Sequence, residues 1–161
     1  ICEAIKEATG LDACIKWPND ILINHKKIGG ILTEINAEID KINFVVLGIG
    51  INVNNELKTL PEKATSLREE KREWINRIEL LQGLLRRIES NYLDFEHRGA
   101  RDILKKWQEY NITLGRRIKI HRGRDSLEGQ AVDIDEDGGL LLRKDSGVVE
   151  KVMAGDVMHC R

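Results

Sequence analysis

The sequence predicts an α+β fold, in which a mixed, largely antiparallel sheet with helices is followed by a small β-barrel. Three observations predict it. Residues 42–53 are nearly all apolar, as in a sheet strand. An apolar stripe at spacings of three and four runs over residues 78–95, as on a helix. Residues 112–161 combine short strands with tight turns, which is typical of a small barrel. We therefore predict a first domain at 1–111 and a barrel domain at 112–161.

Short elements fill the first part of the chain. Ala4, Ile5 and Ala8 share one face of a helix that Gly10 ends. The segments that follow are predicted as strands at 12–17, 21–23 and 27–37, with turns at 18–20, 24–26 and 40–41. The apolar run at 42–53 then predicts a central strand covered on both faces.

The middle of the chain is predicted as a charged surface loop with one helical turn, at 57–73, followed by a long helix. Asn76 is the expected N-cap of this helix, and Glu79 completes a capping box. Ile75 and Leu80 are placed to form a hydrophobic staple across the cap. The apolar stripe, which we predict to face the core, consists of Ile78, Leu81, Leu85, Ile88, Tyr92 and Phe95.

The last part contains a second helix and the barrel. Gly99 separates the two helices, and the helix at 100–110 offers Ile103, Leu104 and Trp107 to the core. In the barrel, apolar residues alternate at Ile118 and Ile120 and again at Val132 and Ile134. Turns are predicted at 137–139 and 145–147, and further strands at 140–142 and 148–153.

Composition bounds the function classes. Lys and Arg number 26 against 27 Asp and Glu, a formal net charge of −1, so nothing indicates a nucleic-acid partner for this chain. No apolar run approaches the ~18 residues of a membrane span. The three cysteines are odd in number and, like the histidines, lack metal-ligand spacing, which favours a reducing, cytoplasmic setting. Because the chain starts at Ile1, inside a helix, we expect a fragment cut into a larger domain.

The stretch from Lys16 to Leu32, KWPNDILINHKKIGGIL, is the most informative part of the sequence. Two glycines, Gly29 and Gly30, stand inside a predicted strand directly after Lys27, where a ligand or another backbone approaches closely. A cation beside such a backbone suits an anionic ligand lying on a sheet. The alternatives are a solvated hairpin lysine at position 27, an ion-paired lysine at Lys16 and structural turn residues between them.

Three motifs in order, KWPND, KKIGGIL and GIGINVN, resemble the central segment of a biotin protein ligase. That family activates biotin with ATP to biotinyl-5'-AMP and transfers the biotinyl group to a lysine of a carrier protein. The resemblance implies a class II synthetase-like catalytic domain, here truncated at its N-terminus, and residues 112–161 resemble the family's SH3-like C-terminal domain.

The resemblance also implies roles for nine residues. Lys27 would contact the biotin carboxylate and the adenylate phosphate as a catalytic residue, with Lys16 as a second catalytic cation. The floor and wall of the biotin site would be Gly29, Gly30, Gly48 and Leu32. The nucleotide would lie beside Asn19, Asp20 and Asn52. Asn52 has an ordinary strand-end asparagine as its alternative, and Trp17 is predicted to be structural. No metal-ligand residues are predicted, although the family implies Mg²⁺ with ATP and biotin.

The family's GRGRxxR loop is absent from the sequence, so we expect the chain to be inactive alone. The partners implied are a biotin carboxyl carrier protein and a second copy of the chain, paired by sheet edges, but no membrane. Two alternatives stay open: a related ligase that uses lipoate or octanoate, and a non-catalytic protein-docking module.

Overall fold

The computed structural model describes residues 1–38, 41–123 and 125–159. It contains two compact units. The first consists of Ile1–Ala13 and Asn19–Gly83, and the second of Cys14–Pro18 and the chain from Leu84 onward. The domain boundary near Asn111 stays a prediction.

The secondary structure follows the predicted order closely. The helices are α1 (Cys2–Thr9), α2 (Leu67–Lys71), α3 (Arg77–Arg98) and α4 (Ala100–Tyr110), with a short 3₁₀ helix at Leu57–Thr59. The strands are β1 (Cys14–Lys16), β2 (Asp20–Ile23), β3 (Lys26–Glu38), β4 (Lys41–Ile51), β5 (Arg117–Arg122), β6 (Asp125–Ile134), β7 (Leu140–Arg143), β8 (Val149–Val152) and β9 (Asp156–His159). The predicted turn at 40–41 falls partly outside the described residues.

In the first unit, β2, β3 and β4 pair antiparallel in that order. Asn24 and His25 connect β2 to β3 with φ values of 49° and 64°, the left-handed conformation of a tight hairpin turn. A bulge between Ile21 and Leu22 interrupts the β2–β3 register. The segment from Ile21 to Ile23 is buried, as is Ile28, so this corner of the sheet is well packed.

Within the described residues, the strand predicted as central and covered at 42–53 is neither central nor covered. Strand β4 is the last strand of its sheet, and β3 is its described neighbour. Its large apolar side chains are about half exposed: Ile42, Phe44, Val45, Val46 and Leu47. The apolar run correctly predicts a strand. It does not predict whether other elements cover that strand, and no described element does.

The start of α3 is confirmed, whereas its buried face is not the predicted one. Asn76 Oδ1 accepts hydrogen bonds from the backbone N–H of Ile78 at 3.0 Å and of Glu79 at 3.4 Å. The buried side chains are Leu80 and Leu84, on the neighbouring face of the helix. The predicted core stripe is exposed or half-buried: Ile78, Leu81, Leu85, Ile88, Tyr92 and Phe95.

The segment at 57–73 is more ordered than a surface loop. Ser66 caps α2 by accepting a hydrogen bond from the backbone N–H of Glu69 at 3.3 Å. Thr65, Ser66 and Leu67 are completely buried. The prediction of a surface loop relied on the charged run at 68–73 and overlooked the buried residues that precede it.

In the second unit, a five-stranded sheet in the order β8-β7-β6-β5-β9 encloses an apolar core. Ile118, Ile120, Leu140 and Leu142 point into this core together with Trp17, which confirms the structural role predicted for that residue. Leu104 and Trp107 of α4 pack against it. Val132 does not join Ile134 inside, because a bulge between 131 and 133 turns Ala131 inward instead. The described part of the chain contains no helix able to span a membrane.

Candidate functional site

An open depression of about 870 Å³ lies on the sheet of the first unit, where β3 and β4 carry their glycines. Its floor and walls combine glycine and apolar residues with two asparagines and one lysine. The lining residues are Asn19, Lys27, Gly29, Gly30, Ile31, Leu32, Gly48, Ile49, Gly50, Ile51, Asn52, Leu60, Pro61 and Ala64. Lys27 is the one charged residue among these described lining residues. The depression therefore suits a largely apolar ligand with a single anionic end.

Lys27 is held on both sides by backbone contacts. Its backbone N–H donates to the carbonyl of Lys63 at 2.9 Å, and its carbonyl accepts from the N–H of Thr65 at 2.9 Å. These bonds form a parallel bridge that fixes the residue against the segment around Ala64. The side chain itself is about half exposed, and its ammonium contacts the carboxylate of Asp20. The Lys27 ammonium is thus accessible to solvent, while the backbone that carries it is held in place.

The glycines of the depression have different structural reasons. A Cβ at Gly29 would overlap the carbonyl oxygen of Gly50, so close packing of the backbone requires glycine there. A Cβ at Gly50 would meet nothing within 4 Å, and at Gly48 it would lie 3.5 Å from the carbonyl oxygen of Leu32. At Gly30 it would lie 3.5 Å from Lys27 Cε and 3.6 Å from Nζ. Among these four glycines of the depression, packing within the described chain explains the absence of a side chain only at Gly29.

Two asparagines of the depression hold loops in place. Asn19 accepts the N–H of Ile31 on its carbonyl at 3.0 Å and donates its side-chain amide to the Ile31 carbonyl at 2.5 Å, which fixes the turn before β2 against β3. Asn52 donates its side-chain amide to the carbonyl of Thr65 at 3.1 Å, and its backbone carbonyl accepts from Leu67 at 2.9 Å. Its carboxamide oxygen has no hydrogen-bond partner within residues 1–38, 41–123 and 125–159.

The depression gathers seven of the nine residues singled out from the sequence. Asp20 is not a lining residue, but its contact with Lys27 places it beside the depression. Lys16 lies on β1 and belongs to the second unit, so its role stays a prediction. The roles of the other residues toward biotin and the nucleotide likewise remain predictions.

Sequence reasoning missed the wall formed by Leu60, Pro61 and Ala64. These residues lie in the segment predicted as a surface loop, and its position depends on long-range backbone contacts to Lys27. Nothing in the local sequence encodes those contacts.

No cluster of three or more potential metal-ligating His, Cys, Asp or Glu side chains occurs among the described residues. Nor is an activated thiol evident near the start of the second unit. Burial raises the pKa of the Cys14 thiol, although nearby Arg116 opposes this effect, so the thiol stays protonated at neutral pH. The described residues that line the depression include no Cys, Ser, Thr or His, so they offer a cation and an apolar surface.

Family models match both ends of the chain. The model described as Biotin/lipoate A/B protein ligase family matches residues 1–52, and the model described as Biotin protein ligase C terminal domain matches residues 113–159. The C-terminal match covers strands β5 to β9.

Relatives align along nearly the whole chain. The bifunctional ligase/repressor BirA of Bacillus subtilis (strain 168) is 38% identical over 161 residues, which cover 98% of this chain and 49% of that protein. The biotin–[acetyl-CoA-carboxylase] ligase of Mycobacterium tuberculosis is 32% identical, over 91% of this chain and 53% of that protein. The chain thus spans about half the length of these curated relatives.

Solved structures agree with this chain in fold. A crystal structure of biotin protein ligase from Aquifex aeolicus superimposes with a TM-score of 0.81 at 30% identity, covering 99% of this chain and 70% of that chain. The same enzyme in complex with biotin and ATP gives a TM-score of 0.80 at 30% identity, covering 99% of this chain and 67% of that chain. Sequence motifs, both family models and the superimposed fold lead to one conclusion: this chain belongs to the biotin protein ligase family.

Proposed function

We propose that this chain forms the floor of a site that activates biotin with ATP and, in the full-length protein, transfers the biotinyl group to a lysine of a biotin carboxyl carrier protein. The observation that carries the proposal is the single cation, Lys27, beside a shallow floor of glycine and apolar residues. Biotin has matching chemistry, because its tetrahydrothiophene ring and its aliphatic chain are apolar and the chain ends in one carboxylate. Gly29, Gly30 and Gly48 would lie under the ligand, and Leu32 would flank it.

The first half-reaction brings two anions together. A carboxylate oxygen of biotin attacks the α-phosphorus of ATP, a new P–O bond forms, and the bond to the pyrophosphate oxygen breaks. Negative charge grows on the phosphate and the leaving group, so a fixed cation stabilises the transition state. Lys27 supplies that charge in the proposal, and a compact ammonium on a flexible stem can follow the anion as it moves. Lys16 is proposed as a second cation.

In the second half-reaction the amine of the carrier lysine attacks the carbonyl carbon of the mixed anhydride. The C–O bond to the phosphate breaks, AMP leaves with the electron pair, and the amine loses a proton. No enzyme nucleophile is needed in either half. The depression must exclude water while the anhydride exists, because an exposed anhydride would hydrolyse.

The nucleotide is proposed to lie beside Asn19, Asp20 and Asn52. Mg²⁺ prefers oxygen ligands and is commonly bound by one or two carboxylates together with substrate phosphates, rather than by an all-protein cage. The carboxylate of Asp20 and the carboxamide oxygen of Asn52 fit that pattern. The ion would offset phosphate charge when bound, and the described residues hold no larger acidic cluster that competes for it.

A homodimer formed by sheet-edge pairing remains part of the proposal, supported by the exposed edge and apolar side chains of β4. The barrel at 112–161 is proposed as the SH3-like C-terminal domain. A cytoplasmic location remains an expectation from the odd number of cysteines.

Pyrophosphate exchange into ATP tests the activity in the full-length protein. We expect exchange that depends on biotin and is absent with lipoate or octanoate. Exchange supported by lipoate or octanoate instead would identify the related ligase, which the shared family model keeps as the second candidate. Absence of exchange with all three acids, with biotin binding also absent, would favour the docking-module alternative.

A further inference from the structure

The contact between Lys27 and Asp20 has a consequence for how the proposed site takes up its ligand. Asp20 begins β2 and pairs with Gly30 of β3, so its carboxylate and the Lys27 side chain arise on adjacent strands. The bulge between Ile21 and Leu22 changes the register between these two positions. The Lys27 ammonium contacts the Asp20 carboxylate. About half of the Lys27 side chain is exposed, against 24% of that of Asp20.

Gly30 leaves the room in which this contact is made. A Cβ at position 30 would stand 3.5 Å from Lys27 Cε and 3.6 Å from Nζ, so the end of the lysine side chain lies over the Gly30 backbone. A larger residue at this position, with γ-methyl groups, would compete with the ammonium for that space. Gly30 and Asp20 together thus define where the single cation of the depression rests.

We propose that Asp20 is a positioning residue that holds Lys27 over Gly30 before the ligand arrives and gives up the ammonium to the ligand's carboxylate. Because Asp20 and the carboxylate of biotin carry the same charge, they compete for one cation. The carboxylate of Asp20 therefore lowers the affinity for biotin while keeping Lys27 in place. This inference rests on the proposed function, since it takes biotin as the ligand of the depression.

Equilibrium binding in the absence of ATP and Mg²⁺ tests the competition without any activity measurement. Biotin and its neutral alcohol analogue are titrated into the full-length protein and into its Asp20→Asn variant. The variant should bind biotin about two- to fivefold more tightly, the range expected for a partly exposed ion pair. The affinity for the neutral analogue should not change. A structural role for Asp20 would instead weaken both ligands together.

Two further variants complete the design. Asp12→Asn removes the carboxylate from another lysine–aspartate pair of the same unit, in which Lys6 Nζ lies 2.7 Å from Asp12 Oδ1, and should leave both affinities unchanged. Asp20→Glu keeps the charge and should keep the ratio of the two affinities within about twofold of the parent's. If Asp20→Asn does not fold, Asp20→Ser removes the same charge and serves in its place.

The outcomes separate the two proposals. If the parent binds biotin but Asp20→Asn leaves the ratio of the two affinities unchanged, or lowers the affinity for biotin, the competition is refuted while the proposed function stands. If the parent binds neither biotin nor the analogue, the proposed function fails first, and the inference fails with it.

Discussion

The sheets of the two units differ in how fully their apolar residues are covered. In the second unit, nine buried residues among those that the structure describes form one enclosed core, and strand β5 alternates between inside and outside. In the first unit β4 is exposed or half-buried along its whole length, and glycines stand where packing side chains would be expected. The first unit has buried residues of its own, among them Ile21, Ile23 and Ile28, but the open part of its sheet leaves backbone and one lysine accessible for a ligand.

The largest loss of stability is expected in the barrel core. Leu142 is completely buried, so Leu142→Ala should lower the free energy of unfolding by about 2–5 kcal/mol through lost burial and a cavity. Leu141→Ala, one residue earlier on β7 and only half-buried, is the matched control and should cost clearly less. Urea unfolding followed by circular dichroism measures both. Equal losses would contradict the assignment of Leu142 to an enclosed core.

At Lys27 we expect a large loss of activity with little change in stability. Lys27→Ala in the full-length protein should slow biotin-dependent pyrophosphate exchange by roughly a hundredfold, on the order of 3 kcal/mol in the activation barrier, because it removes the one charge of the depression. The melting temperature should barely change, since the side chain is half exposed. Lys26→Ala, at the neighbouring exposed position, should keep both properties. Near-parental exchange in Lys27→Ala would remove Lys27 from the mechanism.

Two glycines on the neighbouring strands β3 and β4 of the first unit, Gly29 and Gly50, should respond differently to substitution. Gly29→Ala should destabilise the protein by about 1–3 kcal/mol, because its Cβ would overlap the carbonyl oxygen of Gly50. Gly50→Ala meets open space, so its stability should stay within about 0.5 kcal/mol of the parent while biotin affinity falls. Thermal melts and biotin titrations on the same samples distinguish the two. A folded Gly50→Ala variant with parental affinity would mean that no ligand approaches this glycine.

The same contrast explains what the sequence could and could not predict. Local signals were sufficient for the Asn76 cap of α3, for the turns at Gly138 and Gly147 with φ values of 77° and 83°, and for the alternation of Ile118 and Ile120. These features depend on neighbours in the chain. The motif resemblance also brought together seven residues that line one depression.

The predictions that failed concern which faces of the elements are covered by other parts of the chain. The spacing of the α3 stripe is right for a helix and the apolar run of β4 is right for a strand, but both patterns report only that side chains are apolar. Whether it is covered depends on elements elsewhere, and within the described residues those faces remain exposed. Similarly, the wall formed by Leu60, Pro61 and Ala64 depends on backbone bonds between Lys27 and the segment at 63–65.

The smallest expected effect concerns the charged turn of the barrel. Hydrogen bonding from Lys151 holds the pKa of the Asp135 carboxyl below its usual value, and the backbone N–H groups of Gly139 and Asp137 act in the same direction. A carboxyl with a lowered pKa in the folded state stabilises the fold above its unfolded pKa, and this stabilisation is lost as the pH falls through the folded value. Lys151→Met should therefore lower the melting temperature by at most a few degrees at pH 7, because the pair is partly exposed to solvent. The difference in melting temperature from the parent should shrink as the pH falls below the ordinary range for a carboxyl, where Asp135 becomes protonated in both proteins.

The control is Arg143→Met, which removes an exposed cation with no ion pair among the described residues and should show no such pH dependence. Melting curves of the three proteins between neutral and acid pH provide the measurement. A deficit of Lys151→Met that persists unchanged at the lowest pH would show that Lys151 stabilises the turn by packing rather than by its charge.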